Sequence, residues 1–246
     1  MLMFRDSLCV GCGACENVCP EGAARLENGV GSIDRSKCTG CGKCAAGCRS
    51  GALTVSGYTA SVGEVMSEIM KDRSYYLNSG GGVTLSGGEA TAQSEFALEL
   101  LARCRAKYLN TAVETCGFVS SDTLRRFVPL TDLFLYDIKT VFSDKHLRGA
   151  GRGNELILEN AKMLAGMGCA MKLRMPLIPG YNDSPEDVLA LREFVESELR
   201  LGPQVIELLR YNQLGEVKFK RLGRSDGPSL VPQSDDCFES LKRLLC

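Results

Sequence analysis

Eight of the thirteen cysteines in this chain lie in two short runs near its start, and they constrain its fold more than any other feature. Each run has the spacing C-x2-C-x2-C-x3-C. The members of the first run are Cys9, Cys12, Cys15 and Cys19, and those of the second are Cys38, Cys41, Cys44 and Cys48. The rest of the chain has to be interpreted with these runs in view.

The spacing predicts two 4Fe-4S clusters, because three closely spaced thiolates reach three corners of one cube and the fourth reaches the other cluster. The predicted ligand sets are Cys9, Cys12, Cys15 and Cys48 for one cluster, and Cys38, Cys41, Cys44 and Cys19 for the other. Zinc sites are an alternative, but they usually contain two C-x2-C pairs and a longer spacer, without a third cysteine at the same short interval. Disulfides are a second alternative. They are less expected, because a chain without a secretion signal fits a reducing cytoplasm, where cysteines stay as thiols.

Composition predicts a globular protein with one large and one small domain. The 246 residues are 44% hydrophobic and 24% charged, and we expect a ferredoxin-like two-cluster domain at 1–56 and a larger domain at 57–246. A net charge of -1 indicates no nucleic-acid partner, and no apolar run is long enough for a membrane span. We therefore expect a cytoplasmic protein, in which the five cysteines outside the runs are buried as small hydrophobic residues.

From Ser61 onwards, helical and strand patterns alternate, which predicts an α/β fold with a parallel sheet. Ser61 and Glu64 form a capping box at the start of the first helix. The predicted strands are 83–85, 111–114, 133–138, 170–178 and 205–209, and the predicted helices are 61–70, 94–107, 122–128, 154–167, 184–199 and one from 234. We expect a partial β/α barrel of about five strands, with 133–138 buried on both faces. Because the helix at Ser61 precedes every strand of this domain, the barrel is expected to lack its first strand.

Polar motifs follow four of these strands, at the end where barrels of this kind place their working residues. They are Ser86–Glu89 (SGGE), Glu114–Gly117 (ETCG), Asp137–Lys139 (DIK) and Arg174 ahead of Pro176. Each motif alone is more simply a tight turn, a solvated strand end or an ion-pair partner. Together they predict a site for the amino acid end of a ligand, since glycines permit close approach and charges of both signs suit a zwitterion.

The chain resembles the activating enzymes of glycyl radical enzymes, of the pyruvate formate-lyase activase type within the radical S-adenosylmethionine superfamily. The resemblance rests on a cysteine-rich segment followed in order by SGGE, ETCG, LYDIK, NELILEN, PLIPGYND and GEVKFKRLG. It implies that a reduced 4Fe-4S cluster with one open iron splits S-adenosylmethionine, and that the resulting 5'-deoxyadenosyl radical takes a hydrogen from a backbone glycine of a partner glycyl radical enzyme. It also implies a low-potential electron donor, a flavodoxin or a ferredoxin.

The resemblance assigns S-adenosylmethionine contacts to ten residues and assigns none of them a catalytic role. They are Gly87, Gly88 and Glu89 at the amino group, Asp137, Ile138, Lys139 and Arg174 at the carboxylate end, Glu114 and Thr115 next to it, and Asn212 in the adenine region. Asn212 stands where the family usually has a histidine. The lone histidine, His146, is expected to be solvated on a surface turn.

One family motif does not occur in this sequence, the C-x3-C-x2-C loop that leaves one iron open. After Cys15–Cys19 and Cys44–Cys48, the position for the last cysteine is Gly22 or Gly51. A third, open cluster is therefore expected in the family but has no ligands here. We expect its loop, with the first strand, to lie upstream of residue 1 or in a companion chain. The alternative function is an electron-transfer iron-sulfur protein without radical chemistry.

Overall fold

The computed structural model of the chain describes residues 1–223 and 230–246. It divides into two compact units. The first contains Met1–Thr59 with the described part of Asn212–Leu230, and the second contains Ala60–Tyr211 and Val231–Cys246. In the described residues, no helix combines the length and the apolar character needed to cross a bilayer.

The first unit is built twice over from the same short pattern. Its elements before residue 60 are β1 (Leu2–Phe4), α1 (Ala14–Asn17), β2 (Ala24–Glu27), β3 (Val30–Ile33), α2 (Lys43–Ala46) and β4 (Leu53–Val55). In each cysteine run a glycine with positive φ, Gly13 or Gly42, leads into a one-turn helix. Strand β1 pairs antiparallel with β4, and β2 pairs antiparallel with β3.

The second unit alternates helices and strands in chain order. Its elements are α3 (Val62–Ile69), α4 (Arg73–Ser79), β5 (Gly82–Leu85), α5 (Ser94–Ala106), β6 (Asn110–Thr115), α6 (Ser121–Phe127), β7 (Leu133–Asp137), α7 (Ser143–Ala150), α8 (Glu155–Gly166), β8 (Met171–Pro176), α9 (Pro185–Ser197) and β9 (Ile206–Leu209). Helix α10 (Leu214–Arg221) then belongs to the first unit and α11 (Asp235–Arg243) to the second. Short 3₁₀ turns occur at Asp6–Leu8, Met70–Asp72, Ala90–Gln93, Val128–Leu130 and Pro203–Val205.

The large sheet has the order β5-β6-β7-β8-β9, and all four pairings are parallel. This confirms the predicted α/β fold with a five-stranded partial barrel. Strand β5 forms one edge of the sheet. Because every strand runs in the same direction, the motifs that follow β5, β6 and β7 are brought to one edge, close to Arg174 of β8.

Local signals in the sequence locate the helix starts correctly. At Ser61 the side chain accepts from the Glu64 amide and the Glu64 carboxylate accepts from the Ser61 amide, as a capping box requires. Ser184 and Asp187 form a second box, with Pro185 at the first helical position. These interactions lie within a few residues of each other, which explains why the sequence alone predicts them.

The prediction that 133–138 is buried on both faces is wrong. Phe134, Tyr136 and Ile138 are fully buried, whereas the residues that alternate with them are only half-buried. These half-buried residues lie on the second face of the sheet, where their neighbours on β6 and β8 include the charged residues Glu114 and Arg174. That face therefore stays partly hydrated and forms the site described below.

The expectation of a solvated His146 is also wrong. The residue lies in α7, is 5% exposed, and its Nδ1 is 2.7 Å from the carbonyl oxygen of Arg152. The turn after α7 brings that carbonyl back over the ring. Of the five cysteines outside the runs, Cys104 is buried, with its Sγ 3.7 Å from Met66 Sδ. Cys116 and Cys169 are half-buried, and the expectation of burial fails for the exposed Cys237 and Cys246.

Candidate functional site

Four thiols from both runs line a single cavity in the first unit. The cavity measures about 320 Å³ including its solvent-filled part, and its cysteines are Cys19, Cys38, Cys41 and Cys44. Cys19 reaches it from the first run, although nineteen positions separate it from Cys38. Four thiols around one space are the donor set of a 4Fe-4S cluster.

Neighbouring thiols also influence one another's ionisation. Burial raises the pKa of Cys44, and the Cys19 and Cys38 thiols add to the increase. Burial likewise raises the pKa of Cys15, with a further contribution from Cys9 and Cys12. Of these contributing thiols, only Cys19 acts on a cysteine of the other run.

Backbone amides point at the sulfur atoms. The amides of Ala23 and Ala24 donate to Cys19 Sγ at 3.2 and 3.4 Å. Gly31 N donates to Cys9 Sγ at 3.3 Å, and Leu53 N to Cys48 Sγ at 3.4 Å. The amide bonds, that of Ala24 first, lower the pKa of Cys19. Amide donors of this kind favour thiolates and tune iron-sulfur clusters.

All thirteen cysteines are free thiols in the structure. Among residues 1–223 and 230–246, no three His, Cys, Asp or Glu side chains are grouped as a metal-ion site. The thiols of Cys19, Cys38, Cys41 and Cys44, the second ligand set, are spread around the cavity described above.

Arg174 lies between two acids on the half-buried face of the large sheet. Its Nε donates to Asp137 Oδ1 at 3.0 Å, and its Nη2 donates to Glu114 Oε1. Asp137 is the register partner of Arg174 across β7 and β8. Ser86, after β5, donates to the other Glu114 oxygen at 2.5 Å. One network thus joins the ends of β5, β6, β7 and β8.

The environment shifts the two carboxyl groups in opposite directions. Burial raises the pKa of Asp137, and Arg174 offsets this only in part. For Glu114, burial is outweighed by Ser86 and Arg174, so its pKa is lowered. Burial also raises the pKa of Cys116, and Lys139 lies close enough to offset part of the increase in both Asp137 and Cys116. In the described part of the chain its ammonium has no ion-pair partner, which makes it available to an anionic ligand group.

Glu89 is held by four donors from the protein. Its Oε1 accepts from Thr91 N at 3.1 Å, from Thr91 Oγ1 at 2.7 Å and from Thr115 Oγ1 at 2.8 Å, while its Oε2 accepts from Cys116 N at 3.0 Å. This carboxylate therefore fastens the Gly87–Gly88 turn after β5 to the end of β6. Burial alone raises its pKa, but the Cys116 amide and the threonine donors lower it further than burial raises it.

Replacing Glu89 with glutamine should lower the free energy of unfolding at neutral pH by about 1–3 kcal/mol, because an NH₂ group then faces a donor. The lowered pKa means that the parent gains stability from Glu89 above the unfolded pKa and loses it as the pH falls through the folded pKa. The difference between parent and Glu89→Gln should therefore shrink between about pH 6 and about pH 3.5 in urea titrations. Glu99→Gln, in an exposed pair with Arg103, is the control, and a difference that stays constant with pH would contradict the assignment.

The turn after β6 accepts only glycine at position 117. Gly117 has φ of +71°, and a Cβ there would lie 1.7 Å from the hydroxyl oxygen of Tyr136. That hydroxyl donates to Ile157 O at 2.6 Å, which fixes its position. The ETCG turn is therefore shaped by a buried tyrosine of the next strand.

Three buried asparagines hold the site loops, and none was predicted as functional. Asn160 Nδ2 donates to the carbonyls of Gly117 and Val119, both at 2.8 Å. Asn182 Nδ2 donates to Lys139 O at 2.6 Å and Pro176 O at 2.9 Å, joining the ends of β7 and β8. Asn154 donates to Thr140 O at 2.8 Å. A sequence signal existed, since Asn160 lies on the apolar face of α8 with Ile157 and Leu164.

The structure brings together nine of the ten predicted ligand contacts at one edge of the second unit. Ile138 is 1% exposed and packs in the core, and Thr115 bonds to Glu89, so both face the protein. Asn212 belongs to the first unit, where its Oδ1 accepts from Leu214 N at 3.2 Å.

Two family models match the chain. The one described as "Radical SAM superfamily" matches residues 36–193, and the one described as "4Fe-4S dicluster domain" matches residues 1–49. Among characterised relatives, the trans-4-hydroxy-L-proline dehydratase activating enzyme of Clostridioides difficile is 38% identical over 99% of this chain and 81% of its own length. The choline trimethylamine-lyase activating enzyme of Oleidesulfovibrio alaskensis is 39% identical over 90% of this chain and 73% of its own length.

A solved structure is similar as well. A domain of the pyruvate-formate lyase-activating enzyme from Bacteroides vulgatus superposes with a TM-score of 0.55 and 28% identity, covering 67% of this chain and 92% of that domain. The relatives agree with the predicted activating function and not with the electron-transfer alternative.

Proposed function

This chain belongs to the radical S-adenosylmethionine superfamily, among the activating enzymes of glycyl radical enzymes, and from that premise we propose which of its residues bind the iron-sulfur clusters and S-adenosylmethionine. It uses iron-sulfur clusters and S-adenosylmethionine, and it acts on a glycyl radical enzyme. We propose two 4Fe-4S clusters bound by the eight cysteines of the two runs, in a domain formed by residues 1–56. A flavodoxin or ferredoxin as electron donor, the barrel at 57–246 and a cytoplasmic location are part of the same proposal.

The cluster ligands are proposed to cross between the runs. Cys19, Cys38, Cys41 and Cys44 hold one cluster, and Cys9, Cys12, Cys15 and Cys48 hold the other. The shared cavity supports the set that contains Cys19. When bound, such clusters would carry single electrons. The chain's own contribution is to supply thiolates, which the amides of Ala23, Ala24, Gly31 and Leu53 favour.

The methionine end of S-adenosylmethionine is proposed to bind at the edge where β5 to β8 end. Lys139 and the Glu114–Arg174–Asp137 network face its carboxylate end, and the backbone of Gly87 and Gly88 faces its amino group. Glu89 and Thr115 hold the glycine turn in place, and Asn182 holds the loop of Lys139. Ile138 acts through packing, and Asn212 is assigned to the adenine region by family resemblance alone.

The observation that carries this site is the ammonium of Lys139, which has no ion-pair partner among residues 1–223 and 230–246, beside an arginine that is already paired with two acids. A ligand carboxylate approaching this edge therefore meets an ammonium that forms no ion pair within the described part of the chain. The hydrogen bonds from Asn182 to Lys139 O and Pro176 O hold this loop, which reduces the entropy that would be lost when the ligand binds.

Replacing Lys139 with alanine should weaken S-adenosylmethionine binding about tenfold or more, because the ligand carboxylate loses its charge-assisted partner. Calorimetry on the 246-residue chain at millimolar ligand measures this. Lys172→Ala is the matched control, since Lys172 lies near the start of β8 and pairs with Glu207 at 3.7 Å.

Equal affinities for the parent, Lys139→Ala and Lys172→Ala would refute the site, as would a parent that does not bind at millimolar ligand. S-adenosylhomocysteine is a useful second probe, because it keeps the amino acid end and lacks the sulfonium charge. It should show the same dependence on Lys139.

A further inference from the structure

The two cysteine runs carry opposite charges. Residues 35–49, around the second run, contain Arg35, Lys37, Lys43 and Arg49 and no acid. Residues 5–21, around the first run, contain one arginine and three acids. The two cysteine runs thus share one structural pattern but differ in the sign of the net charge around them. The cluster motif itself does not require that difference.

The fold extends the positive charge around the second run. Arg35 donates to Leu2 O at 2.6 Å and to Arg221 O at 3.3 Å, so carbonyl groups hold its guanidinium and its charge is not neutralised by these contacts. The bond to Arg221 brings the last turn of α10 to the second run, and that turn also contains Lys218 and Lys220. We call these six cations the basic patch: Arg35, Lys37, Lys43, Lys218, Lys220 and Arg221.

A groove runs through this region beside the cluster cavity. It measures about 1000 Å³ including solvent, and its wall includes Arg35, Cys38, Thr39, Gly40 and Gly223. Thr39, Gly40 and Cys41 are exposed. A partner seated here would therefore lie directly against the loop of the second ligand set.

Three acids moderate the patch without cancelling it. Asp34 lies 3.6 Å from Lys37, Glu21 lines the cluster cavity, and Glu216 lies in the first turn of α10. Six cations against three carboxylates leave a net positive charge among the residues that the structure describes. Positive charge at the end of α10 also suits the helix dipole, but that role would not require the matching charges of Lys37 and Lys43.

We propose that the basic patch docks a negatively charged electron-donor protein, and that electrons enter this chain at the cluster held by Cys19, Cys38, Cys41 and Cys44. In the transfer the donor loses one electron and this cluster gains it, and no bond is formed or broken. The proposal rests on the proposed function, because it needs the cluster. The acidic first run repels the same donor, so charge selects which of the two exposed loops it meets.

The test uses an acidic flavodoxin as the probe and the cluster-loaded chain. Lys218→Glu/Lys220→Glu changes charge on α10, outside both cysteine runs in the sequence, and Lys37→Glu/Lys43→Glu changes it next to cysteines of the second run. Both variants should slow reduction by flavodoxin hydroquinone about tenfold or more at low ionic strength, with the difference shrinking as salt screens the charges. Stopped-flow bleaching of the cluster absorbance measures the rate, and calorimetry with oxidised flavodoxin measures docking without any electron transfer.

Two controls separate docking from damage to the cluster. Reduced methyl viologen, a small reductant without a protein surface, should reduce the parent and both variants at equal rates. Lys107→Glu/Arg200→Glu, two exposed cations of the second unit, should leave the flavodoxin rate unchanged.

An unchanged flavodoxin rate in Lys218→Glu/Lys220→Glu would overturn the docking proposal, as would a decrease that salt does not alter. So would a variant that loses affinity for the glycyl radical enzyme and keeps it for flavodoxin, because the patch would then be that partner's interface. A parent that takes up no clusters would instead refute the proposed function. Failure of the two proposals is therefore distinguishable.

Discussion

Serine at both Cys19 and Cys44 should remove one cluster from the reconstituted chain and leave the other. The parent should contain about eight iron and eight sulfide, and the double variant about four of each. Each single variant should show the same loss as the double variant, because both residues line one cavity. Anaerobic reconstitution followed by iron and sulfide analysis measures the result.

The pairing of Cys15 with Cys19 provides the control. These residues belong to the same run and to different predicted ligand sets, so Cys15→Ser/Cys19→Ser should lose nearly all iron. The reverse pattern, with the Cys19 and Cys44 pair losing both clusters and the Cys15 and Cys19 pair losing one, would show that each run holds its own cluster. Stoichiometric zinc in the parent would reject the cluster assignment altogether.

Replacing Arg174 with methionine should lower the free energy of unfolding by about 2–4 kcal/mol, because it leaves two half-buried carboxylates without their shared cation. Adding Glu114→Gln should restore part of the loss by removing one of those charges. Urea titration of the three proteins gives the comparison. Arg103→Met, in an exposed pair with Glu99, should change stability by less than about 0.5 kcal/mol.

The same substitution has a predicted pH dependence. The pKa of Asp137 is already raised by burial, and the loss of Arg174 should raise it further. A group whose folded pKa is raised contributes stability at low pH and loses it as the pH rises through the folded pKa. The penalty of Arg174→Met should therefore be larger at about pH 7 than at about pH 5. A penalty independent of pH would show that Asp137 does not carry the effect.

Features that depend on neighbours in the sequence were predictable from it. The cysteine spacing, the capping box at Ser61 and Glu64, and the proline start of α9 after Ser184 each involve residues within a few positions. The five strands were located to within a few residues, because apolar runs between helical patterns have few other uses in an α/β chain. The short helices α4, α7 and α10 were missed, since their patterns are brief and mostly polar.

Features that join distant parts of the chain were decided only by the tertiary structure. Arg174 is flanked by Glu114 and Asp137, which are 60 and 37 positions away. The burial of His146, the bonds from Thr115 and Cys116 to Glu89 and the bond from Asn182 to Lys139 O have the same origin. The type of a side chain shows which contacts it is able to make. Whether its charge is paired depends on which other side chains the fold brings near it. Lys139 and Arg174 are both cations near the end of a strand, and the packing of the sheet paired Arg174 with two acids but gave Lys139 no ion-pair partner among the described residues.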